Sequence, residues 1–398
     1  MMKRLKLPKG IQSFEDIRKG GFMYVDKTKY LVKLIDDGVP CFLARPRRFG
    51  KSLSITTLEA LFLGKKELFK GLAAEEFLER PDFQPSPVIR LDMSKVVTNR
   101  GIVEMENTIS KQVRVIANKL NVTLSDSNLP GSLFDDLIMN TATKYNQRVV
   151  VLVDEYDKPY TDFVNDTEMA TKVREALRNF YIQLKANYEY IRFVFITGIS
   201  KFARLGVFST LNNITDISMM PEYAEICGYT EDEIIQYFPD YLEETADRMK
   251  LFTTELIEKM RYYYNGFCFD DEAKARLYNP YSTLLFFEEK AFANHWIHSG
   301  SPKFIADYLK DRKLNVEQFR NFPVSKDFVR SPGEMDVTPP EGFLYQSGYL
   351  TLRPGISDDL SLDYPNNEVL NSMSKLLAQN ILRAEDYTGC RRSIEYRI

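Results

Sequence analysis

The chain has 398 residues, 44% hydrophobic and 27% charged, with a formal net charge of −3. That length predicts two or three domains, each able to bury a core, and the near-neutral balance gives the whole molecule no electrostatic pull toward nucleic acid or an anionic membrane. Cys41, Cys227, Cys268 and Cys390 are scattered without C-x-x-C spacing, which argues against a zinc knuckle or a disulfide framework and fits a reducing cytoplasm.

The N-terminal MMKRLKLPKG is basic, but no apolar stretch follows it. No apolar run approaches membrane-spanning length, so a cytoplasmic protein without a membrane partner is expected. GFMYVDKTKYLVKLIDDG reads as a strand-like entry and then a helix with Tyr30, Leu31, Leu34 and Ile35 on one face. PCFLAR is a short apolar strand. GKSLSITTLEALFLG follows as a helix, with Leu53, Thr57, Leu58 and Leu61 inward and Gly64 near its end. SPVIRLDMS is a second strand and NRGIVEMENTISKQVRVIANKLNV a long helix. QRVVVLVDEYD is an apolar strand ending in acids, TEMATKVREALRNFYIQLKAN a helix, and YIRFVFITGIS a further strand. This alternation predicts an α/β fold with a parallel sheet, and continuous apolar runs such as VVVLV fit a sheet covered on both faces.

Beyond residue 222 the pattern turns helical, from TEDEIIQYFPDYLEETADRMK through YYYNGFCF. Asn279-Pro280 reads as an N-cap followed by a first-turn proline. A smaller helical domain is expected over 223–330, after a first domain over 1–222. The Pro/Gly-rich SPGEMDVTPPEG begins a linker, which with a first hairpin strand occupies 331–345. FLYQSGYLTLRPG and LSLDYP read as a hairpin, followed by the helix NEVLNSMSKLLAQNILRA.

Chemistry concentrates in RPRRFGKS, residues 45–52. A phosphate-binding P-loop has the pattern G-x-x-x-x-G-K-[ST]. It lies between a strand and a helix whose free N–H groups face the phosphates. Gly50 allows close backbone approach, Lys51 neutralises phosphate charge, and the Ser52 hydroxyl ligates Mg²⁺. Arg45 stands where the first glycine is usual, and Pro46 can supply the turn by fixing φ. Asp154 and Glu155 close an apolar strand, as in a Walker B arrangement, where the first acid supports Mg²⁺ and the second polarises the attacking water. The next apolar strand ends at Thr197 and Ser200, where a polar group can lie near the terminal phosphate. The order of motifs predicts a P-loop NTPase three-layer parallel sheet with an extra strand, SPVIRLDMS, between Walker A and Walker B, followed by a helical lid domain.

YVDKTKYL, RPRRFGKSL, VVLVDEYDKP, ITGISKF, FSTLNNITDIS, NPYSTLLFF and FLYQSGYLTL together resemble the bacterial AAA-ATPase-like family, whose members often carry a C-terminal PD-(D/E)XK nuclease-like domain. The likeness runs from about residue 5 to about residue 375. It implies that Arg45 is a family variant and that the ligands are ATP or ADP with Mg²⁺. By the same likeness Lys51 and Ser52 hold phosphate and metal, Asp154 supports the metal, and Glu155 is the catalytic base. Pro46, Arg47, Arg48, Phe49 and Gly50 complete the loop around the nucleotide. Arg47 and Arg48 are phosphate-side, loop-packing or surface groups. Nucleic acid and a second copy of the chain stay open as partners. Residues 346–398 resemble the start of the nuclease-like domain, cut short and without Glu-x-Lys, so nuclease activity is not expected.

Other features have plainer readings. Asp26 is expected to cap a helix, and Asp92 to be a strand-end acid. His295 and His298 flank Trp296 without a third metal ligand. The aromatic run at 262–269 reads as core rather than a base-stacking surface, and nothing singles out Arg204 as an arginine finger. Three functions remain: an ATPase whose nucleotide state moves the helical and C-terminal modules, a nucleotide-responsive regulator with slow or no hydrolysis, and a DNA-processing module.

Overall fold

The structure, a computed structural model, describes residues 4–163, 166–199, 213–298, 305, 314–330, 339–355 and 359–386. Strands β1 (Cys41–Ala44), β2 (Val88–Asp92), β3 (Val149–Asp154), β4 (Ile191–Gly198) and β5 (Thr215–Asp216) form one sheet in the order β2-β3-β4-β1-β5. Every neighbouring pair is parallel, with Ala44 opposite Gly198 and Asp92 opposite Asp154. Parallel neighbours cannot be joined by a tight turn, and the connections from β1 to β2, β2 to β3 and β3 to β4 all carry helix.

The principal helices are numbered in chain order. α1 (Phe14–Gly20) and α2 (Thr28–Asp37) precede the sheet, and α3 (Lys51–Phe62) follows β1. α4 (Ile102–Leu120) and α5 (Pro130–Tyr145) lie between β2 and β3, and α6 (Thr167–Tyr181) between β3 and β4. α5 is a crossover helix beyond those read from the sequence, and it buries Leu133, Phe134, Leu137 and Ile138 at helical spacing. All six residues of β3 are buried, so both faces of the sheet are covered at its middle. Each of the side chains from Val149 to Val153 gains roughly 1.5–3 kcal/mol by that burial. The apolar run therefore fixes where the following acids, Asp154 and Glu155, emerge.

A second core belongs to α7 (Glu231–Tyr237), α8 (Pro239–Met249), α9 (Thr253–Tyr264) and α10 (Pro280–Glu289). Phe238, Leu242, Leu256, Met260, Phe286 and Phe287 fill it. Thr230 and Glu233 form a capping box at the start of α7. Asn279 accepts from the Ser282 amide, with Pro280 in the first turn of α10 as expected. The helical reading does not extend through NGFCF: α9 stops at Tyr264, and Phe267 pairs antiparallel with Leu277. Phe267 and Cys268 are buried there, and they join the core of the sheet unit rather than that of the helices.

The C-terminal region also differs from its sequence reading. After the short helix α11 (Lys326–Arg330), α12 (Pro340–Ser347) is a helix, not the first strand of a hairpin. Pro340 opens it, and Gly348, in the left-handed region, closes it. The hairpin is formed by β7 (Thr351–Pro354) and β8 (Leu360–Asp363), and β6 (Phe322–Val324) adds to β8. α13 (Asn367–Asp386) follows. The buried side chains of this unit are continuous with the core of the sheet. Among the described residues no helix is long and apolar enough to cross a membrane.

Candidate nucleotide site

The loop of residues 45–50 leaves the carboxyl end of β1. The Arg45 amide donates to the Gly198 carbonyl at 3.2 Å, which carries the ladder one residue past β1. The Arg45 side chain then turns away from the loop into the interior. Its Nη1 donates to the carbonyls of Ala44 (2.9 Å) and Ser218 (2.7 Å), and its Nη2 to those of Tyr223 (3.0 Å) and Ala224 (3.4 Å). The guanidinium also lies 4.3 Å over the Phe269 ring. Burial away from water lowers its pKa to about 10, so it remains charged at neutral pH. Arg45 is therefore an internal brace that ties the loop entry to the 218–224 segment.

The loop turns through two left-handed residues, Arg48 at φ 68° and Gly50 at φ 102°. Such alternation gathers successive N–H groups into an anion-binding nest. Glycine accepts this conformation without strain, whereas Arg48 bears a cost of about 1–2 kcal/mol. Gly50 is the N-cap of α3 and offers no side-chain cap, so the first N–H groups of the helix are available to an anion. Lys51 is buried, and its Nζ donates to the carbonyls of Arg45 (2.9 Å) and Pro46 (3.0 Å). Burial pushes its pKa down, against the opposing pull of Glu155, Asp154 and Asp157.

A cavity of about 370 Å³ opens in front of this loop, within the size range of small-molecule sites. Its lining includes the polar and basic Arg47, Arg48, Lys51, Ser52, Glu155 and Lys158 and the apolar or aromatic Pro8, Ile11, Tyr229, Pro280, Tyr281 and Leu284. Four basic side chains face one carboxylate, an electrostatic balance that favours an anion.

At the end of β3, Asp154 is almost fully buried and accepts from the Thr197 hydroxyl at 2.7 Å. Thr197 itself is completely buried. It holds Asp154 in place and does not reach the cavity, contrary to the direct nucleotide contact expected of it. Glu155 is left-handed at φ 52°, a strained conformation of the kind found at functional sites. Desolvation raises its pKa, and Lys51 opposes the rise. The turn after Glu155 is stitched to β4: the Tyr156 amide donates to the Thr197 carbonyl at 3.0 Å, and Asp157 accepts from the Ile199 amide at 3.1 Å.

Two other loop residues differ from expectation. The Phe49 ring is buried and packs edge-on against Phe267 and Phe269 at 4.8 and 5.1 Å, so it anchors the loop from behind. Pro46 faces the cavity through neither ring nor carbonyl: its carbonyl holds Lys51, and its ring packs against Gly348. The Arg47 carbonyl accepts from Asn279 Nδ2 and Trp296 Nε1, each at 3.4 Å. Lys158, Tyr229 and Tyr281 were not anticipated. Lys158 follows the acid pair by three residues, a signal available in the sequence. The two tyrosines arrive from the helical unit, with no local mark.

Asp26 is not the cap expected of it: the N-cap of α2 is Lys27, without a side-chain bond, and Asp26, one residue earlier, accepts from the amide and hydroxyl of Thr28 and from the Ala73 amide. Asp92 accepts from Ser94 and pairs with Lys95. His295 is buried and stacks on Tyr264. Ser200, Arg204 and the His298 side chain lie outside the described residues.

The chain thus carries a parallel α/β sheet with a glycine-lysine-serine loop after its first strand and an acid pair at the end of a central strand. The sequence profile described as Predicted AAA-ATPase matches residues 8–208. A protein of Azotobacter chroococcum mcd 1, described as an uncharacterized protein in the vnfD 5′ region, is 36% identical over 382 residues, which cover 94% of this chain and 70% of that one. The chain belongs to the predicted AAA-ATPase family. The Aeropyrum pernix ORC2 protein in ADPNP-ADP complexes overlaps 88% of this chain and 94% of its own, at 10% identity and a TM-score of 0.30. Its ADP form overlaps 89% and 92%, at 15% identity and a TM-score of 0.31. Overlap at this level does not establish a shared fold.

Proposed function

We propose that the chain binds ATP with Mg²⁺ in this cavity and hydrolyses it, and that the nucleotide state moves the helical and C-terminal units. The observation that carries the reading is the convergence of Lys51, Ser52 and Glu155 around one cavity at the carboxyl ends of β1 and β3, with Asp154 immediately before Glu155 at the end of β3. The phosphates lie in the nest of residues 47–51, and Lys51 turns from the carbonyls of Arg45 and Pro46 onto them. The base lies toward Ile11, Tyr229 and Tyr281.

The donor set fits Mg²⁺. Ser52 lines the cavity in the first turn of α3, and Thr197 engages one oxygen of Asp154. Among the described residues no cluster of three or more His, Cys, Asp or Glu could hold a metal, so Ser52 and Asp154 are the side chains that would serve the ion here. Bound there, the ion neutralises charge that develops on the phosphates. Glu155, raised in basicity by burial, orients and deprotonates the attacking water.

Tyr229, Tyr281 and Leu284 belong to the helical unit or its entry, so a bound nucleotide touches both units. Gly348 seats the C-terminal unit against Pro46. The test is Mg²⁺-dependent ATP hydrolysis by the wild type, Lys51→Ala and Glu155→Gln. Turnover is expected to disappear in both variants, with ATP binding kept in Glu155→Gln. Turnover that persists in Lys51→Ala overturns the reading. If the wild type binds ATP without turnover, the chain is instead a nucleotide-responsive regulator.

A further inference from the structure

Arg48 occupies a backbone conformation that glycine or asparagine adopts more readily, at φ 68°, yet it carries a long charged side chain into the cavity. Its guanidinium lies 4.9 Å over the ring of Tyr281. Tyr281 is in the first turn of α10, whose neighbouring residues Leu284, Phe286 and Phe287 belong to the separate core of the helical unit. Arg48 and Tyr281 thus span the cavity from the phosphate loop to the helical unit, beside Lys51 and Glu155.

A guanidinium over an aromatic face is weakly held at a partly exposed site. Bidentate contact with phosphate is stronger and directional. One side chain cannot keep its best geometry with both. We propose that Arg48 reads the phosphate chain in cis: it rests on Tyr281 when the loop lacks phosphate and turns onto phosphate oxygens when ATP binds, which removes one contact between the loop and the first turn of α10 and loosens that turn while Asn279 still holds the Arg47 carbonyl. The inference rests on the nucleotide reading above and names the contact through which occupancy reaches the helical unit. ATP has the required differential interaction, because it engages the turned arginine and not the stacked one.

ATP and adenosine affinities are measured for the full chain as wild type, Arg48→Ala, Arg48→Lys, Tyr281→Leu and the Arg48→Ala/Tyr281→Leu double variant. Hydrogen exchange of 279–289 is followed with and without ATP. The ratio of ATP to adenosine affinity cancels contacts made only to the base. Arg48→Ala is expected to lower that ratio about 10- to 100-fold, with Arg48→Lys between it and the wild type. Tyr281→Leu is expected to raise the ratio about two- to fivefold by removing the competing ring, but only while Arg48 is present. ATP should increase exchange at the start of α10 in the wild type and not in Arg48→Ala. An unchanged ratio in Arg48→Ala, or an exchange response that survives in it, overturns the inference and leaves ATP binding standing. A wild type that binds neither ligand overturns both.

Discussion

The Thr197 hydroxyl donates to Asp154 Oδ1 at 2.7 Å, and the threonine is completely buried beneath the strand-end acid. The bond fixes the carboxylate rotamer and engages only one of its two oxygens. Thr197→Val keeps the shape and removes the donor. It should lower Mg²⁺ affinity in ATP hydrolysis about tenfold, as loss of an orienting partner commonly does, and destabilise the fold by roughly 1–3 kcal/mol through the unpaired buried oxygen. Mg²⁺ titration of turnover separates the two effects, and Thr197→Ser should recover the metal affinity.

Arg45 supplies a second expectation. Restoring the usual first glycine of a P-loop by Arg45→Gly removes the donors to the carbonyls of Ser218 and Tyr223. It also opens a void where the guanidinium covered Phe269. The variant should lose roughly 3 kcal/mol or more of stability in denaturant unfolding, although it matches the general pattern better. A neutral or stabilising outcome would mean that the brace is dispensable.

The Phe49 and Thr197 assignments mark where the sequence stops being informative. Strands β1, β3 and β4 were readable because buried parallel strands are nearly continuous in apolar residues, and the motifs at their tips have fixed spacing. Side-chain direction within the loop was not, because the left-handed residues Arg48 and Gly50 break any simple alternation. Tyr281 follows Arg48 by more than two hundred positions, and a helix-start signal at Asn279-Pro280 says nothing of what the helix faces. FLYQSG reads with the following YLTLRPG as a hairpin strand, while Pro340 before it and Gly348 after it are the stronger signals for a helix.

Glu368 should make stability depend on pH. It lies in the first turn of α13, and its Oε1 accepts from the Trp296 amide at 2.8 Å and the Ser282 hydroxyl at 3.1 Å. Its Oε2 has no partner among the described residues. Desolvation raises its pKa from 4.5 to about 7. Between those values the folded state binds more protons than the unfolded chain, so stability falls as pH rises through that window. Glu368→Gln should flatten that slope and be the more stable protein at pH 8, by up to about 3 kcal/mol. The difference between the two proteins, measured from pH 5 to 8, is the quantity to follow. An unchanged slope would assign it to another group.

Gly348 tests whether the C-terminal unit acts on the phosphate loop. A Cβ there would lie 2.6 Å from Pro46 Cβ and Cγ, and the residue sits at φ 86°. Gly348→Ala must therefore displace Pro46, whose carbonyl also receives Lys51. Part of the damage is local, since alanine in a left-handed C-cap costs about 1 kcal/mol. The informative part is ligand affinity. Gly348→Asn tolerates the left-handed backbone better than alanine but collides with Pro46 at least as severely. Both variants should weaken ATP binding about tenfold if the loop is displaced, whereas only Gly348→Ala should lose much stability if backbone strain alone is at work. Affinity that follows stability rather than the collision would show that α12 caps the loop without influencing it.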